Sequence, residues 1–170
     1  ISKASACLFK DYKQSEDSYD NLFVLTHLGQ LKQMEALISS KNISNNCLVV
    51  LYSQKNLTVP KTVHDQYSSA FKKAIFVEIP FGINKLDFPK LKKIEKYYKK
   101  IVMLSQPRSL YLNSFEGHYA VLTSIAQSQS VKIILVEEGT ATYKFNLKKM
   151  TQSSKDSTLS YNFVRKNFMS

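Results

Sequence analysis

"NLFVLTHLGQLKQMEALISSKNISNNCLVVLYS", Asn21–Ser53, is the stretch from which the fold follows. It opens on an unbroken apolar run, Leu22 to Thr26, which breaks at Leu28-Gly29. Leu31, Met34, Leu37 and Ile38 then recur at the spacing of one helix face. Beyond the turn residues Asn45-Asn46, a second apolar run, "CLVVLYS", shows no polar alternation. Strands that are apolar on both sides and alternate with helices belong to parallel sheets covered on both faces.

The same rhythm continues outward. A third strand is expected from Ala74 to Ile79, stopped by Pro80. Leu91, Ile94, Tyr97 or Tyr98, Ile101 and Leu104 mark the apolar face of a lysine-rich helix. "SLYLNSF" predicts a fourth strand, Glu116 to about Gln127 a helix, and Val131 to Val136 a last buried strand. The predicted class is α/β: a Rossmann-like parallel sheet with helices on both faces. Residues 1–20 are expected to form an irregular, frayed opening segment, 21–145 the Rossmann-like domain, and 146–170 a polar linker or the start of a region not present in this chain.

Composition narrows the function. The chain has 170 residues, 44% of them hydrophobic, enough for one cored domain. No 18-residue apolar stretch predicts a membrane span, and Ile1 to Asp20 lacks the apolar region of a secretory leader. The first residue is not Met, which suggests a piece of a longer protein. Cys7 and Cys47 have no metal spacing and are expected to be reduced thiols. His27, His64 and His118 are scattered, so no metal site is expected. The formal charge of +11 points to a polyanionic partner. Between Lys85 and Arg108, eight Lys or Arg face only Asp87 and Glu95.

Ligands of parallel α/β sheets collect at the carboxyl ends of the strands. Here those ends carry Thr26-His27-Leu28-Gly29, Tyr52-Ser53, Asn113-Ser114 and Glu137-Glu138-Gly139. GxGxxG and GxxxxGK[ST] are both missing, so the phosphate-gripping backbones of dinucleotide and P-loop proteins are not expected. Adjacent strand residues point to opposite faces, so Glu137 and Glu138 should do different work. A carboxylate beside a like charge at a desolvated strand end is raised toward the range of a general base. A solvent-exposed acidic turn is the plainer alternative.

The blocks "NLFVLTHLGQLKQ", "NNCLVVLYSQKNLTVPK", "LYLNSFEGHYAVL" and "VEEGTATY", in this order from Asn21 to Tyr143, resemble the amino-terminal half of bacterial capsule polysialyltransferases. The acidic-pair-Gly element is similar to that of lipooligosaccharide sialyltransferases. The resemblance implies that 21–145 is the acceptor-side, amino-terminal domain of a GT-B glycosyltransferase. It implies inverting, metal-independent transfer of sialic acid from CMP-sialic acid to the end of a polysialic acid chain, with no cofactor. Glu138 corresponds to the family's general base, with Glu137, Gly139 and Thr140 in support. The family's general acid is a histidine in a His-Pro motif. Pro60, Pro80, Pro89 and Pro107 follow Val, Ile, Phe and Gln, so that acid and the CMP site are expected outside this chain.

His27, Gly29, Gln30, Ser114 and His118 are the substrate-binding candidates at the strand ends. His118 is expected to meet substrate or to orient Glu138; backbone-bonded burial is the competing reading. Lys92, Lys93, Lys96, Lys99 and Lys100 would hold a polysialic acid acceptor, or lie against anionic lipid or a capsule assembly complex. Nucleic acid is not an expected partner, because RNP aromatics and a GxxG clamp are missing. The expected location is cytoplasmic, peripheral at the inner face of the bacterial inner membrane. Two other readings compete: a non-catalytic polyanion-binding module, and a GT-B transferase using another nucleotide sugar.

Overall fold

The computed structural model describes residues 18–65, 69–79, 88–114 and 118–136. Five strands and four helices alternate through them. The strands are β1 (Asn21–Leu25), β2 (Asn46–Tyr52), β3 (Lys73–Glu78), β4 (Ser109–Leu112) and β5 (Lys132–Leu135). The helices are α1 (Leu28–Lys41), α2 (Thr58–Asp65), α3 (Phe88–Ser105) and α4 (His118–Ser128). All pairings are parallel and the order is β3-β2-β1-β4-β5. This is the Rossmann-like α/β arrangement expected from the sequence. The strand order reverses direction at β1, which places a crevice between the carboxyl ends of β1 and β4.

The side-chain period of two divides each strand between two cores. Leu22, Val24, Val49, Leu51, Leu110 and Leu112 face a cluster completed by α3 and α4 through Leu91, Ile94, Tyr98, Ile101, Leu122 and Ala126. Phe23, Leu25, Leu48, Val50 and Tyr111 face the opposite cluster, closed by Met34 and Ile38 of α1 and Val59 and Val63 of α2. Phe23 and Tyr111 stack there with ring centroids 4.2 Å apart. Every β2 residue is buried, as a central strand without alternation requires.

Local chemistry sets the ends. Asn42 closes α1 in the left-handed conformation (φ 49°), and its N–H reaches the carbonyls of Ile38 and Ser39. Asn45 turns the chain at φ 58°, and its side-chain nitrogen donates to Asp20 Oδ2 at 2.8 Å.

Three expectations change. Tyr19, in the segment expected to fray, is 5% exposed, and its N–H donates to the Ser105 carbonyl at 3.0 Å. Helix α2, which the sequence reading lacked, spans only two turns with Val59 and Val63 as its buried pair. Pro60 lies in its first turn, where a missing N–H costs nothing. Strand β5 is a sheet edge and half-exposed, with Leu135 open to solvent, so its apolar run does not make it a buried strand.

Candidate functional site

The site is built where β1 hands over to α1 and β4 to α4. At the first junction His27 is the helix cap, with extended backbone at φ −148° and ψ 157°. Gln30, three residues on and 2% exposed, turns its side chain back over the cap. Its Oε1 accepts from Thr26 N (2.7 Å), Thr26 Oγ1 (3.2 Å) and His27 N (3.3 Å). Two of the three are backbone N–H groups at the helix start, which makes no intrahelical bond to them. The Gln30 carbonyl therefore organises the junction from within. A Cβ on Gly29 would meet His27 Nδ1 at 3.3 Å, so the missing side chain lets the exposed imidazole fold over the first turn.

At the second junction His118 opens α4 with a partly exposed ring. Its Nδ1 is 2.8 Å from the hydroxyl of Tyr98, which α3 delivers from the core. Tyr98 is fully buried, and burial holds its phenol well above the usual range. Burial also pushes His118 down to about 4, so the imidazole is neutral at physiological pH. Its neighbour Tyr119 stacks at a tilt, with centroids 4.4 Å apart. The Tyr119 hydroxyl donates to Thr26 Oγ1 at 3.2 Å. That bond joins the two junctions: Tyr119 touches Thr26, and Thr26 touches Gln30.

The end of β4 is tied to β5. Val136 N–H donates to the Leu112 carbonyl at 2.8 Å, and Asn113 Nδ2 donates to the Val136 carbonyl at 2.9 Å. Asn113 Oδ1 is buried and has no hydrogen-bond partner among the described residues. Ser114 follows, half-buried. Glu137, Glu138, Gly139 and Thr140 lie outside the described residues.

The structure thus brings His27, Gly29, Gln30, Ser114 and His118 to the carboxyl edge of β1 and β4. His118 bonds a side chain, Tyr98, in place of the backbone partner considered from sequence. Tyr98 and Tyr119 escaped the sequence reading as site residues, and Thr26 and Asn113 were placed at the strand ends without a role. "Gly-His-Tyr" and "Thr-His-Leu-Gly-Gln" contain Tyr119 and Thr26, but only the fold shows that these motifs meet.

The lysines lie on α3. Lys92, Lys93, Lys96, Lys99 and Lys100 are all exposed, while Leu91, Ile94, Tyr98 and Ile101 are buried. Glu95 takes two of the charges, with Lys92 Nζ at 3.0 Å and Lys99 Nζ at 2.7 Å. Burial raises the Glu95 carboxyl, and the bonds and charges of Lys99 and Lys92 outweigh this to leave it below its usual value. Among the described residues no group of His, Cys, Asp and Glu could hold a metal ion. None of their helices is long and apolar enough to cross a membrane.

Fold and site together define a Rossmann-like α/β domain with a polar, hydrogen-bonded crevice at its topological switch point. A family model for alpha-2,8-polysialyltransferases (POLYST) matches residues 21–169, and the chain belongs to that family. A comparison with curated proteins finds no match. Membership makes glycosyl transfer, and sialyl transfer within it, the activity class, with a nucleotide-sugar donor and a sialylated glycan acceptor.

Proposed function

We propose that this domain is the acceptor-side half of an inverting, metal-independent GT-B polysialyltransferase, working in bacterial capsule synthesis at the cytoplasmic face of the inner membrane. Sialic acid is transferred from CMP-sialic acid to the non-reducing end of a polysialic acid chain. The acceptor hydroxyl attacks the anomeric carbon as the bond to the CMP phosphate oxygen breaks. Glu138 takes the hydroxyl proton, and CMP departs with the bonding pair. Glu137, Gly139 and Thr140 have supporting roles.

The observation that carries this reading is the acidic pair's position in a chain that matches the family from 21 to 169. Val136, the residue after β5, is held by Leu112 and Asn113 at the carboxyl edge of β4, and Glu137-Glu138 follow directly in the sequence. The parallel fold supports the reading, because this is the edge at which such sheets bind ligands. The exposed lysines of α3 supply the positive surface that a chain of sugar carboxylates requires.

Glu138→Gln in the full-length protein should keep the fold and lower turnover by roughly two orders of magnitude or more, the scale of a positioned general base. Glu137→Gln should cost less. Equal and mild losses at both positions would remove Glu138 from that role.

A further inference from the structure

Tyr98 and His118 fix each other's protons. The Tyr98 hydroxyl is fully enclosed, and its hydrogen-bond partner is His118 Nδ1, at 2.8 Å. If Nδ1 carried the hydrogen and donated to Tyr98, the buried phenolic hydrogen would have no acceptor among the described residues. Buried donors are rarely left in that state. Tyr98 is therefore the donor, Nδ1 the acceptor, and the hydrogen of the neutral imidazole resides on Nε2. Nε2 has no partner among the described residues.

His118 also occupies the crevice described above. It is the first residue of α4, its ring packs on Tyr119, and Tyr119 bonds Thr26 at the end of β1. The groups packed on the ring are the two phenols of Tyr98 and Tyr119. Neither carries charge at neutral pH, so among the described residues the imidazole has no ionic partner to draw it into the charged form.

We propose that Tyr98 locks His118 in the Nε2–H tautomer, and that this N–H is a neutral hydrogen-bond donor to an oxygen of a sialic acid unit bound in the crevice. His118 is the ligand-touching residue and Tyr98 the positioning residue. The ligand part rests on the sialyltransferase reading; the tautomer part does not. A neutral donor orients a hydroxyl or carboxylate oxygen without delivering a proton to it. Burial supports this, since it keeps the ring uncharged well below neutrality.

Long-range 1H–15N correlation of the imidazoles in the full chain tests the lock, with His118→Gln assigning the signal. At pH 7 the expected pattern is Nε2 protonated and Nδ1 bare, and Tyr98→Phe should give a mixture of tautomers. A dominant Nδ1–H form, or a charged ring at pH 7, overturns the proposal. Titration with α2,8-linked oligosialic acid tests the ligand. The His118 Nε2–H signal should shift, and His118→Ala should weaken binding by about tenfold, the scale of one lost hydrogen bond. His118→Gln, whose amide nitrogen lies close to the Nε2 position, should recover most of that loss. If oligosialic acid binds the wild type and a folded His118→Ala alike, the donor role is wrong and the sialic acid reading stands. If the Nε2–H tautomer is present but the wild type binds no oligosialic acid, the sialic acid reading fails and takes the ligand role with it.

Discussion

Asn113 and Val136 are joined across neighbouring strands by a side-chain amide donating to a backbone carbonyl at 2.9 Å. The bond closes the carboxyl edge of β4 and β5 one residue before Glu137. The other end of the amide, Oδ1, is buried and has no hydrogen-bond partner among the described residues. Asn113→Ala removes a good hydrogen bond together with a buried acceptor that has no partner among the described residues, so its stability cost should be only about 1 kcal/mol. Catalysis should suffer more, because the backbone leading into the acidic pair loses its tether. Urea unfolding and kcat/KM on the same variant check this. A loss of stability with unchanged turnover would make the bond purely architectural.

Gln30 and Gly29 separate structure from binding. Gln30→Met keeps the buried volume but leaves the Thr26 and His27 N–H groups without their shared acceptor. The expected cost is roughly 2–3 kcal/mol, visible as a lower Tm. Gly29→Ala should leave stability equal or slightly higher, since alanine favours a helix and the exposed His27 ring can yield to a Cβ at 3.3 Å. If His27 meets substrate, that small displacement raises KM in a protein that is no less stable. An unchanged KM would take His27 out of the site.

Burial of His118 couples stability to pH. Its folded pKa, about 4, lies below the unfolded value near 6.5. The unfolded chain therefore binds the proton first as pH falls. The contribution is intact above about 6.5 and is lost progressively down to about 4. The whole effect is on the order of 3 kcal/mol. Unfolding free energies measured between pH 7 and 4.5 should fall more steeply in the wild type than in His118→Gln. Parallel curves would mean that the ring titrates alike in both states.

Glu95 tempers the α3 surface. It pairs with Lys92 and Lys99, whereas Lys93 and Lys96 make no ion pair among the described residues. Lys93→Gln with Lys96→Gln should weaken binding of long sialic acid chains more than short ones. The difference should shrink as salt is raised, because exposed charges are screened over about 8–10 Å at ordinary ionic strength. Glu95→Gln should act oppositely and tighten long-chain binding. Affinity measured against chain length and salt decides; equal losses for long and short acceptors would mean that α3 is not the acceptor track.

The sheet was legible in the sequence because it rests on unbroken apolar runs, and "CLVVLY" admits only a strand buried on both sides. The α1 and α3 faces were legible through Met34 and Ile38, and through Leu91, Ile94 and Ile101. Helix α2 was not, because two turns with Val59 and Val63 offer a single i,i+4 pair and Pro60 suggests a break. β5 misled because "KIIL" carries no sign of its edge position; the strand order decides that. The crevice was half legible. Strand ends named His27, Gly29, Gln30, Ser114 and His118, but the Gln30 bonds are tertiary detail within a turn. The Tyr98–His118 contact spans 20 residues and depends on how α3 packs against α4. The same lysine spacing that marked an acceptor surface gave no hint that Glu95 would take up Lys92 and Lys99.

The strand order also has a consequence during synthesis. β1 pairs with β2 in register from Asn21↔Asn46, but its other flank waits for β4, where Asn21 meets Ser109. That partner emerges from the ribosome roughly 85 residues after β1, on the order of 4–17 s later at ordinary translation speed. Once β3 has emerged the β3-β2-β1 half can assemble, while β1 still offers a row of unpaired N–H and C=O groups flanked by Leu22, Phe23, Val24 and Leu25. The strand that finally lies at the centre of the sheet is, until then, the nascent chain's stickiest border.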